Sequence, residues 1–215
     1  MNNILKDESL IKNEGHMEVI NTNFTNNYAY SYGCVLDNYC DNEKALIKDS
    51  TFKNNYSKKE GGAIFNRNDS ILEIVNSKFM NNDSNISGGA IFNLGELYVL
   101  DCDFIINTAK MNGGAIANVS GVLELESSKF NENHTNKLGG ALFNFGKLDI
   151  FDCEFKKNTG NSGGAINNQE GNLKVIDNIF EENSAKKGGA IRNYNNKEMK
   201  LENCNFINNK PDDVK

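Results

Sequence analysis

Apolar and polar residues alternate along this chain in short runs that never widen into a helical stripe. Leu72-Glu73-Ile74, Leu97-Tyr98-Val99, Leu123-Glu124-Leu125 and Leu148-Asp149-Ile150 each set two apolar side chains on one face. That period of two predicts half-buried strands. Two motifs flank the runs. Gly-Gly-Ala occurs six times, from Gly61, Gly88, Gly113, Gly139, Gly163 and Gly188, at spacings of 27, 25, 26, 24 and 25 residues. A degenerate copy, Gly33-Cys34-Val35-Leu36, precedes them. Phe-x-x-Asn occurs eight times, on Phe24, Phe52, Phe79, Phe104, Phe130, Phe155, Phe180 and Phe206. Asn, Asp and Gly separate the pieces, as turn chemistry requires.

A unit of about 25 residues cannot bury its own apolar face, whereas stacked units bury a continuous one. The predicted fold is therefore all-β: a single-stranded parallel β-helix, or β-solenoid, of about eight rungs with three short strands per rung. The crossover rule makes it right-handed, and strand spacing gives a rod of roughly 38 Å. The solenoid is expected over residues 10–210, after an N-terminal extension, 1–9, that partly caps it. Pro211 ends pairing, and the tail 211–215 is expected to leave the C-terminal end open to flanking domains of a longer chain.

Columns through the rungs then become the unit of reading. The eight phenylalanines form an internal stack, and Val35, Ile64, Ile91, Ile116, Leu142, Ile166 and Ile191 a second internal column. Asn66, Asn93, Asn118, Asn144, Asn168 and Asn193, and the Asn after each Phe, are expected to form ladders, because a stacked amide both donates and accepts. Glycines serve corners at positive φ.

Composition sharpens this. There are 39 Asn among 215 residues, 19 Gly and 1 Pro, and 38% of residues are hydrophobic, which suits a thin repeated unit better than a thick layered core. A net charge of −6 argues against a nucleic-acid partner. No run reaches the ~18 apolar residues of a membrane helix, so direct membrane insertion is not expected. Met1–Leu10 offers no apolar stretch of signal-peptide type.

The paired Gly-Gly-Ala-Ile and Phe-x-x-Asn motifs resemble the repeats of polymorphic outer-membrane proteins and of adhesin-like surface proteins. The resemblance covers about residues 10–210 and implies an extracellular or cell-surface β-helix linked to adhesion, or an extended surface scaffold. Two other readings stand beside it: a polysaccharide-active, pectate-lyase-like β-helix, and a purely structural spacer.

The candidate chemistry is sparse. Cys102, Cys153 and Cys204 share a column in alternate rungs, roughly 9.6 Å apart, too far for a disulfide. They and Cys34 read as buried thiols, and Cys40, in a turn, as the exposed one. His16 and His134 lie too far apart to share a metal or a catalytic triad. The corner column Asn21, Asp49, Asn76, Asp101, Ser127, Asp152, Asp177, Asn203 reads as corner hydrogen bonding rather than a calcium site. The outward column Glu18, Leu46, Glu73, Tyr98, Glu124, Asp149, Lys174, Lys200 spreads its carboxylates over several rungs and ends in lysines. No catalytic residue, metal or cofactor is therefore assigned, and the chain is read as a non-enzyme. Two outward columns are unexpectedly apolar: Leu36, Phe65, Phe92 and Phe143, and Ile20, Val75, Leu100, Phe151 and Ile176. Phe65, Phe92, Phe143, Val75, Leu100, Phe151 and Ile176 are expected to offer a partner surface for a surface glycan or protein, unless loops cover them.

Overall fold

The computed structural model describes residues 3–6, 8–40, 43–194 and 199–215. Among these the chain is all-β, wound as a parallel β-solenoid of about eight turns. The turns build four parallel sheets rather than three. The isoleucine sheet runs from Ile11–Asn13 to Ile191–Asn193, the alternating sheet from Met17–Ile20 to Met199–Glu202, and the phenylalanine sheet from Asn23–Thr25 to Asn205–Ile207, with eight strands in each. The extra, short sheet has six strands, from Asn3–Leu5 to His134–Thr135. Later rungs continue it only as isolated bridges, Thr159 to Ser184 and Ser184 to Lys210. Its strands hold two or three residues, such as Tyr56–Ser57 and Thr108–Ala109, too few to show a period in sequence.

The strand ladder dictates the core. Phe52, Phe79, Phe104, Phe130, Phe155 and Phe180 are fully buried. Their ring centroids lie 4.7–4.9 Å apart with planes within 7° of parallel, so the rings repeat at the spacing that backbone pairing sets. The Ile column and both apolar columns of the alternating sheet fill the remaining interior. In the degenerate rung the register differs from the expected one by one residue. Leu36, not Val35, pairs with Ile64 and is buried, while Asp37 pairs with Phe65 on the outer side. Gly33 at φ +47° takes the place of Gly61, so Val35 falls in the alanine column.

Two asparagine ladders run the length of the rod. Asn13, Asn38, Asn66, Asn93, Asn118, Asn144, Asn168 and Asn193 pass amide hydrogen bonds of 2.7–2.8 Å from rung to rung. The ladder after the phenylalanines is more fully bonded. Asn133 Nδ2 donates to Asn158 Oδ1 at 3.0 Å and to the Phe104 carbonyl at 2.9 Å. Its Oδ1 accepts from both the backbone N–H and the side chain of Asn107. Every polar atom of the buried amide is used.

The corners explain the remaining columns. The Asn/Asp/Ser column from Asn21 to Asn203 sits at φ 45–59°, the left-handed region that Asn and Asp tolerate best among residues with a side chain. The first glycine of each Gly-Gly-Ala is also at positive φ. The second is needed for space: a Cβ on Gly140 would come within 2.0 Å of the Gly164 carbonyl oxygen.

At the C-terminal end, Asn209 Nδ2 donates to Asp213 Oδ1, and residues 212–215 pair with Gly189–Asn193. The tail thus covers the edge of the isoleucine sheet, contrary to the expectation that it covers nothing. The last strands of the alternating and phenylalanine sheets keep one neighbouring strand each.

Candidate functional site

Because side chains fill the interior, chemistry with a partner belongs to the outward columns and the turns. The outer alternating sheet carries an open hollow of about 410 Å³, lined by Lys44, Glu73, Glu96, Tyr98, Glu124 and Glu126 among others. Its charges are largely paired: Lys44 with Glu73, Lys147 Nζ with Asp149 at 2.9 Å, and Lys200 Nζ with Glu202 at 3.0 Å. Tyr98 Oη donates to Glu96 Oε2 at 2.8 Å. Lys44 and Glu73 pair across neighbouring strands, whereas the other partners lie two residues apart on the same face of one strand. Among the described residues no three or more His, Cys, Asp and Glu side chains gather as a metal site.

The apolar columns lie differently from one another. Phe65 and Phe143 are buried, Phe92 is half-buried, and Asp37 and Ala117 interrupt their column. Val75, Leu100, Phe151 and Ile176 are half-buried, with Lys48 and Glu126 breaking the run. Phe151 carries the Lys174 ammonium 4.7 Å from its ring centroid.

The thiols are free, and burial orders them. Cys40 is completely buried, not exposed: its Sγ lies against the Glu43 and Asn38 oxygens, and its N–H donates to Ser70 Oγ. Its side chain belongs to the buried core. Cys102 and Cys153 sit where each rung supplies an acceptor to the N–H of the rung before, as Ser50, Ser77 and Ser128 also do. Burial pushes the Cys34, Cys102 and Cys153 thiols up to about 12. Cys204 is the only cysteine that is not buried. In the folded protein near neutral pH, Cys204 should therefore react first with a thiol reagent, and Cys40 with the protected set. All five should react after denaturation without reductant. Mass mapping checks this, and early labelling of Cys40 would contradict the fold of its turn.

An aromatic cluster on the N-terminal rungs was not expected. Tyr28 stacks on Tyr56 at 4.8 Å and meets Tyr30 edge-on at 5.2 Å. The Lys58 and Lys59 ammonium groups lie over the Tyr30 and Tyr32 rings at 3.9 and 4.3 Å. Tyr32 packs on Phe65, and Arg67 lies 5.0 Å from the Phe65 ring while its guanidinium makes a bidentate pair with Asp37, at 2.6 and 2.8 Å. Asp37 holds the guanidinium charged, raising its pKa above the ordinary range. Beside this pair is a hollow of about 450 Å³ lined by Tyr39, Arg67, Asn68, Asp69 and Leu94. A signal was present in the sequence: five of the seven tyrosines fall between residues 28 and 56, in a rung whose Phe-to-Phe spacing is 28.

A family model, the Chlamydia polymorphic membrane protein repeat, matches residues 49–67 and 179–194. These segments lie in early and late rungs, and each holds a Phe-x-x-Asn and a Gly-Gly-Ala motif. The matched family is a surface-associated repeat, not an enzyme family. No curated protein and no solved structure matches the chain. No helix of the described residues is long and apolar enough to cross a membrane. Both matched segments fall on rungs of one parallel solenoid, so over those stretches the chain is similar to the polymorphic membrane protein repeat.

Proposed function

We propose that this chain is an adhesin-like surface rod, held outside the cell, whose turns and outward columns present the contact to another surface. One observation carries the reading. The repeated residues are consumed by the core, the ladders and the corners, so residues that vary from rung to rung concentrate on the outside. A solenoid of this kind displays side chains at fixed intervals over a long face, which suits extended contact. The Lys44–Glu73 and Lys147–Asp149 ion pairs of the alternating sheet favour binding over catalysis.

Beads coated with the chain should adhere to cultured animal or bacterial cells, and soluble chain should compete. Beads that adhere to neither would overturn the adhesive reading and leave a spacer that only sets distance. A flow-chamber count of retained beads makes the measurement.

A further inference from the structure

We propose that the hollow beside Tyr39 is a binding site for neutral saccharide chains. The inference rests on the reading of the rod as a contact-making scaffold, and it names the ligand class and the place.

Turn lengths create the hollow. Connections between the isoleucine and alternating sheets vary in length, four residues at Gln169–Asn172 but two at Phe145-Gly146 and at Leu94-Gly95. The two preceding rungs use longer ones, with Arg67–Ser70 between Asn66 and Ile71, and a connection beginning at Tyr39 after Asn38. Tyr39, Arg67, Asn68 and Asp69 line the space together with Leu94 of the short connection. Tyr39 is 56% exposed, so its ring is not serving the interior.

The lining selects the ligand. A pyranose ring has an apolar C–H face and a rim of hydroxyls that both donate and accept. Tyr39 and Leu94 offer apolar surface to the face. Arg67, Asn68 and Asp69 offer donors and acceptors to the rim, and Asp37 locks the Arg67 fork before any ligand arrives. A volume of about 450 Å³ falls in the range of small-ligand sites. Charge argues against an anion: Arg67 is matched by Asp37, and Asp69 leaves the local sum negative. Strand geometry argues against an added peptide strand, because the neighbouring strands Leu36–Asn38, Ile64–Asn66 and Ile91–Asn93 are paired on both sides.

The test titrates the chain with neutral hexasaccharides of glucose, galactose and N-acetylglucosamine, and with a heparin hexasaccharide, by calorimetry and saturation-transfer NMR. At least one neutral chain should bind, with magnetisation transferred from tyrosine ring protons. Tyr39→Ala should weaken it about tenfold or more, and Tyr39→Phe should stay within about twofold. Unchanged circular dichroism shows the variants folded, and the wild-type transfer spectrum stands without them. Absence of binding by all neutral chains, equal binding by Tyr39→Ala, or binding of heparin alone would overturn the site. The bead assay tests the scaffold reading separately: adhering beads with no sugar binding overturn the site and leave the scaffold.

Discussion

Replacing Asn133 with leucine should destabilise the middle of the rod more than any single exposed change. The amide is completely buried and accepts two hydrogen bonds from Asn107 while donating to Asn158 and to the Phe104 carbonyl. Leucine fits the volume but leaves the Asn107 N–H, one Asn107 amide hydrogen and the Phe104 carbonyl without partners. Each orphaned buried group costs about 1–3 kcal/mol, so the loss should reach roughly 4–6 kcal/mol. The same change at exposed Asn85, whose side chain enters no ladder, should stay within about 0.5 kcal/mol. Urea unfolding gives the magnitudes, and amide exchange gives the location. Protection should fall first in the rungs of Asn107 and Asn158 and recover toward the ends. Equal effects at Asn133 and Asn85 would show that the ladder adds nothing beyond its neighbours' backbone pairing.

Phe130→Ala should follow closely, at about 3–5 kcal/mol, the usual range for deleting a buried phenylalanine. Phe130 is fully buried between Phe104 and Phe155, each with its ring centroid 4.8 Å away. The ladder holds those neighbours at strand spacing, so they cannot close over the gap, and the cavity term remains. Phe24→Ala should cost clearly less. Phe24 is 9% exposed, and the ring stacked on it is Phe52, at 5.0 Å and 25°. Losses of equal size at Phe24 and Phe130 would contradict a continuous stack with a free end.

Both arguments use columns that could be read before any coordinates. A solenoid places one column in one environment about eight times over, so an inward Phe or a ladder Asn repeats until it is unmistakable. The candidate site was far less legible. Tyr39, Arg67 and Asp69 occur once each, in rungs where the repeat is irregular, and no column averages over them. The apolar stripe at Phe65 and Phe143 looked exposed because strand alternation points it outward. Burial of Phe65 comes from packing that alternation does not encode, namely Tyr32 at 4.8 Å and Arg67 at 5.0 Å.

The sequence by itself determined the parallel β-solenoid, its rung count, the Phe stack, the Ile column and both asparagine ladders. Each follows from period-two alternation and a repeat too small to bury itself. Tertiary structure alone decided the features that depend on the path between strands. The fourth sheet forms because stacking pairs two-residue segments that carry no period. A second corner column, holding Asn26, Ile106, Glu132 and Lys157 among others, is forced to φ 53–56° at those positions by the rungs on either side, even where the residue is isoleucine. Leu36 takes the interior place because Gly33 makes the corner, Cys40 lies inside because Asn38, Glu43 and Ser70 oxygens meet its thiol and N–H there, and residues 212–215 pair because the edge of the isoleucine sheet offers free backbone groups. In each case the residue's own chemistry permits several outcomes, and hydrogen bonding to the adjacent rung selects one.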